Sequence, residues 1–261
     1  MATETTVQVP RTTLSSNPLA DKNVDIAADA RRVFDVLAKG GLAIVPADVG
    51  YGLVAIDPAA LERAFVTKQR QPHKRHAMIG SYALHKELHV LPEREARMVE
   101  LFTQDLDIPL GVIAPMKADH PIIRKLGKET LARSSVDGTL GMLVNGGAFQ
   151  DELSRLATEA GLPLMGSSAN LSGKGTKSLV EAIEPEILGV ADIVIDYGKR
   201  KYSYPRPSST MIDFRTVELM RFGACYDVVQ DIMKRFYGID WPNDPGREAN
   251  FSGHLREAAK K

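Results

Sequence analysis

The pattern of interruption along the chain constrains its fold more than any single motif. Leu42 to Val45 is an apolar run that ends at Pro46, Asp48-Val49-Gly50-Tyr51-Gly52 intervenes, and Leu53 to Ile56 resumes. Each run is too short for a buried helix, and the two glycines supply the backbone freedom of a turn, so the segment reads as strand, loop, strand. Before it, Ile26, Val33, Val36 and Leu37 recur at roughly helical spacing, and Gly40-Gly41 ends that helix. Pro58 to Lys68 has helix composition with proline in its first turn. Helical patterns return at Glu93 to Phe102, Gln150 to Ala160 and Leu179 to Ile187. Short apolar runs separate them at Ala77 to Ile79, Gly111 to Ala114, Leu140 to Val144 and Pro163 to Met165. Three more follow at Ile193 to Ile195, Thr210 to Ile212 and Val217 to Met220. This alternation predicts an α/β fold, a twisted sheet with helices packed on it.

At 261 residues and 44% apolar content the chain can bury a full core, so one domain over residues 25–224 is expected. Residues 1–24 read as a flexible arm. An amphipathic helix, about Asp227 to Tyr237, and a partly disordered polar tail from Trp241 make up an extension over 225–261 that is too short for a second domain. The 33 basic and 33 acidic residues cancel, so no whole-molecule field draws the chain to nucleic acid or an anionic membrane; a local basic concavity remains compatible with that balance. The single cysteine, Cys225, excludes an intramolecular disulfide and a thiolate cluster and fits a cytoplasmic setting. No segment approaches the roughly 20 apolar residues of a membrane span, so no membrane partner is expected. The oligomeric state is not readable from the sequence.

No metalloprotease helix, Walker loop, dinucleotide fingerprint or nucleophile elbow is present. Three other clusters combine small or hydroxyl residues with cations in loops after apolar strands, where open α/β sheets build ligand clefts. Lys68 and Arg70 could clamp a polyphosphate, although alone the pair equally fits a solvated helix end. Gly166-Ser167-Ser168-Ala169-Asn170-Leu171-Ser172-Gly173 could cradle phosphate oxygens through hydroxyl, amide and backbone N–H groups, and equally fits a cap or turn. Pro207-Ser208-Ser209-Thr210, with Arg221-Phe222-Gly223-Ala224 after the next strand, is by itself an ordinary turn signal.

In order and spacing these pieces resemble the YrdC-like family over roughly residues 26–224. Its opening Pro-Thr-Asp-Thr-x-Tyr-Gly-Leu is similar to Pro46 through Leu53. Its Lys-x-Arg falls on Lys68 and Arg70, and its Ser-Ala-Asn-x-Ser-Gly falls on Ser168 to Gly173. Its Ser-Thr, two apolar residues and Asp fall on Ser209 to Asp213, and its Arg-x-Gly-Ala on Arg221 to Ala224. The resemblance implies a twisted open mixed sheet flanked by helices, with a concave cationic cleft that binds ATP with Mg²⁺. It also implies Lys68, Arg70, Ser168, Asn170, Thr210 and Arg221 as nucleotide contacts, with the first four carrying the catalytic role. No side chain is expected to hold the metal by itself.

The acceptor side departs from that pattern. Ala47 and Val49 stand in place of two threonines, Asp107-Ile108-Pro109-Leu110-Gly111 in place of a Pro-Gly-Pro-x-Thr segment, and Leu143 in place of an arginine before Val-Pro. Ala47, Val49, Tyr51, His76 and Leu143 are therefore the expected acceptor-side residues. His73 or His76, in the basic stretch, could contact an acidic group, although histidine also serves as a polar-tipped packing residue. The expected function is an ATP-using enzyme that forms an acyl- or carbamoyl-adenylate with release of pyrophosphate, on a small-molecule acid acceptor other than threonine. Two rival readings are a catalytically inactive module holding a nucleotide or RNA, and a threonylcarbamoyl-AMP synthase for tRNA modification with rearranged acceptor contacts.

Overall fold

The computed structural model describes residues 11–13, 24–69 and 75–255. Its strands are β1 (Arg11–Thr13), β2 (Leu42–Ala47), β3 (Gly50–Ala55), β4 (Ala77–Ile79), β5 (Leu110–Pro115) and β6 (Ser135–Val136). They continue with β7 (Thr139–Val144), β8 (Met165–Ser168), β9 (Ile193–Asp196), β10 (Thr210–Asp213) and β11 (Glu218–Arg221). The helices are α1 (Ile26–Ala38), α2 (Pro58–Thr67), α3 (Tyr82–Leu88), α4 (Glu93–Glu100) and α5 (Pro121–Lys125). After them come α6 (Gly127–Ser134), α7 (Ala148–Glu159), α8 (Pro185–Val190) and α9 (Tyr226–Tyr237).

The strands form one mixed sheet in the order β1-β9-β2-β3-β8-β4-β7-β5-β10-β11, with β6 paired to β7. β2 and β3 are antiparallel, with Leu42 opposite Ala55 and Ala47 opposite Gly50, so the segment first read as strand, loop, strand is a hairpin. All six residues of β2 are buried because the strand is sandwiched between two cores. Leu42 and Ile44 point into one core with Leu53, Leu61 and Ala64. Ala43 and Val45 point into the other with Val33, Leu37 and Leu153 from α1 and α7. The period-two alternation of a strand thus serves helical layers on both faces.

Three local expectations change. The helix expected over 179–187 is a short 3-10 turn, Val180–Ala182, followed by α8, which starts at Pro185; proline lacks the N–H that would continue the first turn. The small-residue loop after Met165 begins as strand: β8 runs through Ser168 and pairs with β3. Gly166 permits this, because a β-carbon there would sit 2.8 Å from Val54 and 2.9 Å from the Leu53 carbonyl. The tail from Trp241, expected to be partly disordered, is packed onto the domain as far as residue 255. Trp241 is buried and its indole N–H donates to Val217 O (3.2 Å), and Tyr226 donates to Pro242 O (2.6 Å). At the other end, Arg11–Thr13 of the N-terminal arm pair in parallel with β9.

Candidate functional site

Lys68 closes α2, and its main chain and side chain both meet the loop after β8. The ammonium, 1% exposed, donates to the carbonyls of Ser168 and Asn170, the second at 2.6 Å, and Ser172 N–H donates to Lys68 O (3.0 Å). Two clusters 100 residues apart in sequence are therefore one structural unit. The ammonium fastens the loop through main-chain oxygens. Arg70 and His73 lie outside the described residues.

The third cluster lies beside this loop. Arg221 donates twice to Ser209 O (3.0 and 2.9 Å) and once to Ser209 Oγ (3.0 Å), which sets the guanidinium against the turn before β10. Ser168, Asn170, Ser208 and Arg221 line one small cavity of about 70 Å³. Asn170 is 5% exposed; its Nδ2 donates to Leu171 O (2.5 Å), while its Oδ1 is buried without a hydrogen-bond partner. Thr210 does not reach this cavity. It is fully buried and its hydroxyl donates to Ala224 O (3.1 Å), tying β10 to the residues after β11.

No carboxylate lines the cavity, and no group of three or more His, Cys, Asp or Glu suited to a metal exists among the described residues. The walls suit phosphate oxygens.

Three of the residues expected on the acceptor side meet in an apolar plug. Ala47, Val49 and Ala224 form a separate buried apolar cluster, with Leu143, Tyr202 and Cys225 packed against it. Three of the positions that depart from the family motif, Ala47, Val49 and Leu143, thus share one cluster. Residues 198–209 are laid over the β2–β3 turn: Arg200 Nε donates to Ala47 O (3.0 Å), Tyr202 N–H to Asp48 O (2.7 Å) and Ser208 N–H to Val49 O (2.8 Å). Arg200 also pairs with Asp48 at 3.3 Å. Burial raises the Asp48 carboxyl above its ordinary range, and Arg200 and Lys201 oppose that rise.

Tyr51 and His76, both expected near an acceptor, have structural surroundings. The Tyr51 hydroxyl accepts from Tyr197 N–H (3.0 Å) and lies within bonding distance of Gly198 O (2.7 Å) and Asp196 Oδ1 (3.1 Å). Burial, with Asp196 beside it, raises its pKa well above the usual phenol range. His76 is 4% exposed and packs against the Phe65 ring.

A second, larger cavity of about 460 Å³ opens beyond β7, between Tyr82, Thr103, Asp107, Asn145 and Asp151. Asp107 accepts from Lys201 (2.7 Å) and Asn145 (3.1 Å), and these contacts hold it below the usual carboxylate range. Asp151 has no such partner; burial, then Asp48 and Asp107 nearby, push its carboxyl up to about 6.

Sequence reasoning found the helix now seen as α9 but missed Arg200, Arg206 and the packing of residues 241–255. Arg206 is 2% exposed, grips both carboxylate oxygens of Asp244 and donates to Asn250 O. The only local signal was its place between Pro205 and Pro207, which fixes the backbone on either side.

Comparison with known proteins agrees with the family resemblance and the fold. A family model described as Sua5_yciO_yrdC, telomere recombination, matches residues 35–223. A putative threonylcarbamoyl-AMP synthase of Methanocaldococcus jannaschii is 50% identical over 44 residues, which are 17% of this chain and 21% of that protein. That match therefore spans about a fifth of the curated relative. A hypothetical protein from Streptococcus mutans UA159 superposes with a TM-score of 0.64 at 21% identity, covering 87% of this chain and 94% of that one. P. abyssi Sua5 complexed with L-threonine superposes with a TM-score of 0.58 at 22% identity, covering 76% of this chain and 54% of that one. With the family model spanning more than half of its length, this chain belongs to the Sua5/YciO/YrdC family.

Proposed function

We propose that the protein uses ATP to form an acyl- or carbamoyl-adenylate with release of pyrophosphate, and that its acceptor is not threonine. The observation that carries this reading is the contrast between the two sides of the cleft. Ser168, Asn170 and Arg221 converge on one cavity, whereas Ala47, Val49 and Leu143 meet in an apolar plug with Ala224, Tyr202 and Cys225. At Ala47, Val49 and Leu143 an acceptor carboxylate finds neither the two threonine hydroxyls nor the guanidinium of the family motif, and an unpaired buried charge forfeits about 2–5 kcal/mol of binding.

On this reading the chain's own residues act by position and charge. Arg221 and the basic stretch that includes Arg70 offset negative charge as it builds on the leaving pyrophosphate, and Ser168 and Asn170 orient the phosphates. Lys68 holds the loop that carries both. ATP brings Mg²⁺, whose charge would be added to that of the arginines when bound. The lone Cys225 suits a reducing cytoplasmic setting. No helix of the described residues is long and apolar enough to cross a membrane.

The test is pyrophosphate release from ATP, with bicarbonate present, across amino acids and other small acids. Threonine emerging as the best acceptor would overturn the acceptor assignment, and silence from folded protein that binds ATP would favour a module without catalysis. That second reading draws on one observation, the engagement of the Lys68 ammonium by two main-chain carbonyls. Salt-dependent RNA binding without ATP turnover would support it.

A further inference from the structure

β4 and β7 run parallel, with Ile79 opposite Leu143, and Ser81 and Asn145 lie just past their carboxyl ends. Open α/β sheets place ligands outside such ends. The larger cavity, about 460 Å³ and open to solvent, is found there, with Tyr82 and Lys86 of α3 and Asp151 of α7 in its wall. Its volume falls within the roughly 300–1,000 Å³ of small-molecule sites. Gln150, 3% exposed, fixes the two strand ends relative to each other: its Nε2 donates to Gly80 O (2.9 Å) and to Leu143 O (2.9 Å). The cavity also adjoins the plug. Asn145 is two residues past Leu143, and Tyr202, which packs on the plug, donates to Asp107 O (2.9 Å).

Most donors of this wall are committed within it. Thr103 O–H donates to Val99 O (2.7 Å), Gln104 Nε2 to Thr103 Oγ1 (3.2 Å) and Asn145 Nδ2 to Asp107 (3.1 Å). The Lys86 ammonium lies over the Tyr82 ring, 5.0 Å from its centroid. The acceptors are less well served. Asp107 is taken up by Lys201 and Asn145, but the partly buried Asp151 carboxylate faces no donor. The charges that act on it come from Asp48 and Asp107 and have its own sign. Arg200 and Lys201 are engaged by those two carboxylates. Gln150 Oε1, on the preceding residue, is a second buried acceptor without a partner. An unpaired carboxylate among like charges costs stability, and such costs persist where function needs them.

We propose that this cavity binds a small organic cation through a primary ammonium, with Asp151 as its counter-ion. An ammonium brings three donors and a positive charge to a wall whose open groups are acceptors. A neutral molecule of the same length leaves Asp151 without a counter-charge, and an anion is repelled by it. Binding there needs no nucleotide, so the proposal stands apart from the adenylate reading.

The experiment is an NMR titration of the full-length protein, without nucleotide, at neutral pH and fixed ionic strength. The probes share one four-carbon chain: putrescine, 1,4-butanediol and succinate. Shifts are followed at the Asp151 amide and the Asn145 side-chain amide, in the wild type, Asp151→Asn and Ala83→Phe. Ala83 is an exposed residue of the cavity wall, so phenylalanine there fills space and leaves every charge in place. Putrescine is expected to saturate both signals and to bind at least about tenfold more tightly than the diol or the diacid. Each variant weakens it by about tenfold or more. Putrescine affinity within about twofold of the wild type in Asp151→Asn overturns the counter-ion. Loss in Asp151→Asn with none in Ala83→Phe reveals attraction to surface charge alone and overturns the cavity. Failure of putrescine to shift either signal overturns the proposal as a whole.

Discussion

Replacing Lys68 with methionine separates two roles that the residue could have. Its ammonium is buried and donates to the carbonyls of Ser168 and Asn170, so its main task in this structure is to fasten the loop after β8 to the end of α2. Lys68→Met keeps most of the aliphatic stem and removes the donors. Two buried acceptors then lose charged partners, each at a cost of about 1–3 kcal/mol. Against this, methionine removes the burden of burying an ammonium. The balance is a loss of about 2–5 kcal/mol of stability. With a urea slope of about 3 kcal/mol/M, the unfolding midpoint falls by roughly 1 M. Urea denaturation followed by circular dichroism measures this, and MgATP titration of the same protein runs beside it. A midpoint within about 0.2 M of the wild type, together with lost ATP affinity, would refute the structural assignment and return Lys68 to the phosphates.

Asp151→Asn stabilises the protein by about 1 kcal/mol above pH 6, after allowance for solvent screening, and leaves it unchanged below pH 3.8. The folded carboxyl, pushed up to about 6 by burial and its acidic neighbours, keeps a proton that the unfolded chain has already lost, so stability declines as pH rises through that window; thermal midpoints of both proteins across pH 3–8 show whether the difference opens there. His85 and His89 share a 2.8 Å contact between their Nδ1 atoms, and burial lowers them to about 4 and about 3. As pH falls from 6.5 the unfolded chain takes up their protons first and stability is lost, so His85→Leu/His89→Leu flattens the acid limb, and an unchanged slope would contradict this. Ala47→Thr/Val49→Thr/Leu143→Arg gains threonine-dependent pyrophosphate release by at least about tenfold; a folded triple variant that stays silent toward threonine counts against the plug as the reason for altered acceptor choice.

The fold was legible wherever local pattern and tertiary demand coincide. The turn between β2 and β3 was marked by Gly50 and Gly52, and the end of α1 by Gly40, whose φ is +85°. The pattern was misread where one residue type serves two tasks. The serines and glycines after Met165 look like a loop, yet β8 needs Gly166 for close approach to β3 and runs on through Ser168. The helix expected across Pro185 failed for the opposite reason: apolar spacing continued past a residue whose missing N–H starts a new helix there.

The site was half legible, and the division has a physical cause. Ser168, Asn170 and Arg221 meet at one cavity because each lies at or just after the end of a strand of the same sheet, where open α/β sheets build their clefts. Spacing could not say which polar groups face that cavity. Thr210 sits in the same motif as Ser208, but its hydroxyl turns inward to Ala224 O. Nor could spacing show that Ala47, Val49 and Leu143 share a cluster, since they come from two strands and the turn between β2 and β3. Three departures scattered through a sequence read as three losses. In contact with one another, and sealed by Tyr202 and Cys225, they read as one altered surface, and that is why the phosphate side and the acceptor side of this cleft require separate experiments.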